Sequence, residues 1–263
     1  MELPLKINKK HYGENCLNVS GSSNNLATIY KERDNLEKAR QNFAKARNIF
    51  INLYGKNHPQ VAISYHNQGT IYQEQRNLEQ AADYVNQALA IHMPLSGDSH
   101  PNMAAFYNTL GMIYTQQGCL ERAAQYVDKA FAIYLNLFGK NYPNVATSYD
   151  KLGKVYQEQG DLKQAAKYIK KALEINIRHW GINHPTVALG YGGLGSIYQK
   201  QGNLEEAAKF INQELTINIK LSGENNLNVV LLYRKLAQIY KAQGNSKKAA
   251  EYTKKAQSIK RKL

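Results

Sequence analysis

Residues 57–98 read NHPQVAISYHNQGTIYQEQRNLEQAADYVNQALAIHMPLSGD, and this stretch decides the fold. Val61, Tyr65, Gly69 and Tyr72 follow i, i+4, i+8, i+11 spacing, one face of a helix. Pro59 suits a first helical turn, where its missing N–H costs nothing. Gln75, Arg76 and Asn77 break the pattern, and three later copies of the turn read Gln-Gly-Asp or Gln-Gly-Asn at 159–161, 201–203 and 243–245. Glycine there fits a left-handed C′ position, and Asp or Asn caps the next helix. A second helix carries Leu78, Ala81, Ala82, Val85, Ala88, Leu89 and Ile91, and it stops near Gly97.

The unit recurs every 42 residues without insertion or deletion. Gly13, Gly55, Gly97, Gly139, Gly181 and Gly223 lie on that step, as do Tyr30, Tyr72, Tyr114, Tyr156, Tyr198 and Tyr240, and Ala39, Ala81, Ala123, Ala165, Ala207 and Ala249. A strict period of this length predicts a solenoid, each unit burying its apolar face against its neighbours. The expected fold is all-α, an array of antiparallel helix pairs. Its units are 15–56, 57–98, 99–140, 141–182, 183–224 and 225–263, with residues 1–14 a vestigial half repeat. In the last unit Ser246, Thr253 and Gln257 replace large apolar residues, which predicts a terminal helix that faces water. Gly69, Gly111, Gly153 and Gly195 sit mid-helix at a cost of about 1 kcal/mol each relative to Ala. Recurrence at one position predicts a close approach of the second helix.

Hydrophobic residues make up 43% of the 263, ample for a core, and the net charge is +14. The charge is uneven: residues 1–140 hold 14 Lys/Arg against 11 Asp/Glu, and 141–263 hold 20 against 9. The basic half predicts an acidic partner. Cys16 and Cys119 occupy different repeat positions, so no disulfide joins them and a reducing, cytoplasmic compartment is expected. No apolar run is long enough for a signal peptide or a membrane span, so no membrane partner is expected and the Asn18-Val-Ser20 sequon reads as chance.

The pattern Tyr107, Leu110, Gly111, Tyr114, Ala123, Val127, Ala130 resembles the tetratricopeptide repeat family. The 42-residue period, the linkers Gly97-Asp-Ser-His-Pro101 and Gly181-Ile-Asn-His-Pro185, and the runs Asn24-Asn-Leu-Ala27 and Asn108-Thr-Leu-Gly111 are similar to its kinesin light chain subgroup. The resemblance implies a right-handed superhelix whose first helices line a concave groove for extended peptides. No heptad coiled coil precedes the repeats, so what carries over is architecture and binding mode, not motor transport.

Several apparent sites dissolve in register. Gly190-Tyr-Gly-Gly-Leu-Gly195 satisfies a dinucleotide fingerprint, but that fingerprint needs a strand before it and a turn within it, and register places it inside a first helix. Its glycines instead predict a soft helix, weakened by roughly 2–3 kcal/mol. His58, His100 and His184 share one repeat position, too far apart for one metal, and read as linker residues. Fifteen of the nineteen tyrosines fall on three packing positions, leaving Tyr12, Tyr54, Tyr134 and Tyr142. No catalytic constellation, cofactor site or metal site is visible, and no enzyme is expected.

What remains is variation on one face of the first helices. Early units present Asn24, Asn25, Thr28, Lys31, His66, Asn67, Thr70, Gln73, Asn108, Thr109 and Thr115, groups suited to a peptide backbone. Later units present Lys151, Lys154, Gln157, Gln199, Arg234, Lys235, Gln238 and Lys241, suited to carboxylates or phosphates. The expectation is a non-enzymatic scaffold that holds an extended acidic segment of a protein partner. The alternative is nucleic acid or another polyanion on the basic half; acidic Glu32, Glu74, Asp150 and Glu158 beside the groove disfavour it.

Overall fold

The computed structural model describes residues 16–261, together with Lys6, Ile7, His11 and Gly13 before them. Most of the half repeat expected at 1–14 therefore lies outside the described residues. Among the described residues there are twelve α-helices and no strand. They are α1 (Leu17–Glu32), α2 (Leu36–Tyr54), α3 (Pro59–Glu74), α4 (Leu78–Ser96), α5 (Pro101–Gln116) and α6 (Leu120–Phe138). There follow α7 (Pro143–Glu158), α8 (Leu162–Trp180), α9 (Pro185–Lys200), α10 (Leu204–Ser222), α11 (Leu227–Ala242) and α12 (Ser246–Lys260). Every odd-numbered helix has 16 residues, and α2 to α10 among the even ones have 19. The chain divides into two compact units, 1–133 and 134–263, the division falling within α6.

Sequence chemistry sets the helix ends. Asn35, Asn77, Asp161, Asn203 and Asn245 each accept a hydrogen bond from the backbone N–H three residues on, capping the second helices. The histidines of the His-Pro linkers cap first helices: Nδ1 of His58, His100 and His184 accepts from the N–H of Gln60, Asn102 and Thr186 at 3.2, 3.1 and 3.3 Å. The proline that follows each occupies the first turn. Trp180 and Tyr54 stack on His184 and His58 at 4.9 and 4.3 Å. These histidines are thus structural, as the repeat position implied.

Four helix pairs, α3/α4, α5/α6, α7/α8 and α9/α10, close on a glycine of the first helix, where α1 and α11 carry Ala27 and Ala237 instead. A Cβ on Gly69 would lie 2.7 Å from Val85 Cγ2, on Gly111 2.4 Å from Val127 Cγ2, on Gly153 2.6 Å from Ile169 Cδ1 and on Gly195 2.5 Å from Ile211 Cδ1. No side chain fits at that separation, so glycine permits the axes to approach and the fully buried Ala81, Ala123, Ala165 and Ala207 complete the contact. Tyrosines fill the space beside it. Tyr126 lies 5.9 and 5.4 Å from Tyr107 and Tyr114, and Tyr168, Phe210 and Tyr252 sit the same way between their own pairs of rings. The tyrosines at these positions are packing residues. In α12, Ser246, Thr253 and Gln257 are exposed.

The glycine-rich run of α9 is continuous helix. Its glycines differ in what surrounds them. A Cβ on Gly190 would press on Leu173 Cδ1 at 3.0 Å, whereas one on Gly193 meets only Ile169 Cγ2 at an ordinary 3.6 Å. Gly193→Ala is therefore expected to stabilise the protein by about 1 kcal/mol through helix propensity. Urea denaturation checks the sign, and slower amide exchange along α9 is the local counterpart.

Candidate functional site

In the first unit, the face formed by α1, α3 and α5 is cross-linked by its own polar side chains. Lys31 Nζ pairs with Glu74 Oε1 at 3.0 Å and donates to Thr70 Oγ1 at 3.4 Å. His66 Nε2 bonds Thr109 Oγ1 at 2.8 Å, with its ring 4.8 Å from Phe106. Gln73 Nε2 donates to Gln116 Oε1 at 3.2 Å. Each of these pairs joins successive first helices 39 to 43 residues apart in sequence. Thr28, Thr70, Thr109 and Thr115 return their hydroxyls to carbonyls of their own helices. Asn108 is buried, Asn24 and Asn67 are half-buried, and Asn25 is exposed. Of the expected backbone-binding residues, Lys31, His66, Gln73 and Thr109 thus spend polar groups on contacts between successive repeats.

Burial, and secondarily the Lys31 ammonium, lowers the His66 pKa from 6.5 to about 4. The unfolded chain binds this proton near pH 6.5 and the folded chain only near 4. Stability is therefore complete above pH 6.5 and is lost as the pH falls toward 4, by at most about 3 kcal/mol. The urea midpoint is expected to drop between pH 7 and 4.5, and His66→Gln, which keeps a partner for Thr109, should remove that share of the drop.

The second unit is different: its first-helix face is open. A cavity of about 530 Å³ lies between α7, α8 and α9, lined by Asp150, Lys154, Gln157, Asn176, Trp180, Leu189, Gly190 and Gly193 among others. The next, about 700 Å³, lies between α9, α10 and α11 and shares Leu189; Glu214, Asn218, Leu231 and Lys235 line it. A third of about 300 Å³ lies between α11 and α12, beside Arg234, Gln238, Lys241, Thr253 and Gln257. The structure brings Lys154 and Gln157 together at the first, places Lys235 at the second, and groups Arg234, Gln238 and Lys241 at the third. Lys151 lines none of them, and burial lowers its ammonium pKa, with Lys154 adding to the effect and Asp150 opposing it. Lys154 is held by Asp150 at 2.9 Å yet remains half exposed. Gln199 is exposed on α9.

Two kinds of residue on this face escape a reading by charge. Leu189 is 72% exposed and Leu231 49%, both opening onto the cavities. Each stands two residues before a packing tyrosine, Tyr191 or Tyr233, off the buried stripe. An apolar residue off the stripe is the signal that could have found them. The other is Glu214, whose carboxyl pKa is raised by burial and drawn back by Lys235.

Elsewhere, Lys163, Lys167, Lys170 and Lys171 gather on α8, where Lys170 Nζ donates to the Tyr198 hydroxyl at 2.8 Å. Cys16 and Cys119 are free. Among the described residues no group of three His, Cys, Asp or Glu is placed to hold a metal, and no helix is long and apolar enough to cross a membrane.

The sequence profile of the tetratricopeptide repeat matches residues 19–93, 102–178 and 186–262, and a second profile of the same description matches 66–134 and 151–220. No curated protein sequence matches the chain. Among solved structures, BtubC (BKLC) from P. vanneervenii is similar with a TM-score of 0.72 at 20% identity, over 86% of this chain and 91% of that one. The nearly identical TPR-like repeats assigned to a kinesin light chain of Podosopora anserina give 0.67 at 23% identity, over 78% and 97%. A Rap protein complexed with Competence and Sporulation Factor gives 0.70 at 16%, over 98% and 79%. At these identities the likeness is one of fold.

Proposed function

The chain belongs to the tetratricopeptide repeat family, whose fold commonly mediates protein–protein interaction, and on that premise we propose that it is a non-catalytic scaffold holding an extended, acidic segment of a partner protein. The observation that carries this reading is the open first-helix face of the second unit, where cavities of about 530 and 700 Å³ combine exposed leucines with lysines. Cavities of this size take side chains of a docked segment. Leu189 and Leu231 offer it apolar surface, Lys235 favours a carboxylate in the cavity they share, and Lys154, Arg234 and Lys241 favour carboxylates at the two neighbouring cavities. The Rap protein, complexed with Competence and Sporulation Factor, supports the reading to the extent that the shared fold holds a ligand there.

Display of a randomised peptide library on the purified protein tests the proposal. Selected peptides should be extended and acidic, and should bind at least tenfold more weakly to a variant carrying Lys154→Glu, Arg234→Glu, Lys235→Glu and Lys241→Glu. Equal binding by that variant would sink the assignment. The lysine cluster of α8 favours one second reading, a polyanion such as nucleic acid on that surface. A steep fall of affinity with salt, removed by reversing Lys163, Lys167, Lys170 and Lys171, would establish it instead.

A further inference from the structure

At one position of the second helix the units carry Ala46, Ala88, Ala130, Ala172 and Ala256, all buried; in α10 the residue is Glu214. At one position of the first helix they carry Asn24, His66, Asn108, Asp150 and Arg234; in α9 it is Gly192. The two departures fall in the same unit and occupy the same space. A Cβ on Gly192 would lie 2.6 to 2.7 Å from the carboxyl atoms of Glu214. The polar group has moved from the first helix to the second.

The carboxylate is left with an acceptor to satisfy. Oε2 of Glu214 is buried and has no hydrogen-bond partner among the described residues. Such an atom is costly as it stands, and turning the carboxyl toward the cavity that Glu214 lines brings it within reach of a donor there. Glu214 lines the 700 Å³ cavity together with Leu189 and Leu231. Lys235 lines it too, close enough to act on the carboxyl electrostatically, so a second cation arriving there would be repelled. A neutral N–H suits the site better, and an extended chain whose side chains rest on the two leucines presents main-chain amides between them.

We infer that Glu214 supplies, from the second helix, the groove contact that Gly192 cannot make, and that it accepts hydrogen bonds from main-chain amides of the bound segment. This rests on the groove reading above. The probe is the tightest peptide from the wild-type selection, synthesised as such and as a series with one backbone amide N-methylated at a time. Glu214→Ala should bind it about tenfold more weakly. Gly192→Asp with Glu214→Ala, which restores the arrangement of Asp150 and Ala172 that lines the neighbouring cavity, should recover binding to within about threefold. N-methylation of one particular amide should weaken binding to the wild type about tenfold and to Glu214→Ala not at all. Unchanged binding by Glu214→Ala, equal N-methylation penalties in both proteins, or failure of the folded double variant to recover would each overturn the inference while leaving the groove reading intact. A wild-type protein that selects no peptide overturns both.

Discussion

Replacing Gly111 with valine is expected to destabilise the protein by about 3 kcal/mol, although valine is the better helix former. The reason is where the new atoms fall. A Cβ at 111 stands 2.4 Å from Val127 Cγ2 and 3.2 Å from the carbonyl oxygen of Ala123. A side-chain methyl can rotate away, but a carbonyl moves only with its helix. Valine's two further methyls then face Ala123 and Val127, both fully buried, with no space to retreat into. α6 must therefore shift from α5, and the loss spreads to the rings of Tyr107, Tyr114 and Tyr126 that pack beside the contact. For a chain of this size, that much destabilisation lowers the thermal midpoint by roughly 6–12 °C. An unchanged midpoint would mean that the two helices are not in glycine-mediated contact. Gly193→Ala, expected to act in the opposite direction, serves as the control that separates packing from propensity.

That glycine position was legible in the sequence because it recurs. Periodicity reports what several repeats share: closing the pair at Gly69, Gly111, Gly153 and Gly195, capping with Asn or Asp, starting a helix at His-Pro, stacking tyrosines. Each of these is local or nearest-neighbour, so residue type and register determine it. The polar face of the first unit was legible only as a set of residue types. Whether Lys31 faces a ligand or Glu74 depends on how two helices some 40 residues apart are set against each other, and a 3.0 Å ion pair cannot be read from either helix alone. Glu214 and Gly192 illustrate the converse. Each is conspicuous as a break in its own alanine or polar series, but their connection is spatial, one residue's side chain standing in the other's place. Leu189 and Leu231 are illegible by residue type alone, since a leucine in a helix is ordinarily core.

Leu189→Asp combined with Leu231→Asp is expected to weaken binding of the selected segments by more than about 100-fold while leaving the folded protein intact. The two leucines are 72% and 49% exposed in the free chain, so neither contributes much to its core, and exposed substitutions of this kind change stability by about 0.5 kcal/mol or less. A docked segment would cover both. Burying two such side chains is worth roughly 3 kcal/mol or more in total, and the aspartates add repulsion toward an acidic ligand beside Lys154 and Lys235. Leu189 matters most, because it borders both cavities. Titration calorimetry with the wild-type peptide gives the affinity, and a melting curve on the same sample gives the stability. Loss of binding with an unaltered melt places the segment across these leucines; retained binding places it elsewhere on the molecule, whatever its charge. Leu189→Ala and Leu231→Ala separate the two contributions, since alanine removes the apolar contact without adding a carboxylate. If the aspartates abolish binding and the alanines leave it unchanged, the leucines only border the ligand and charge governs recognition.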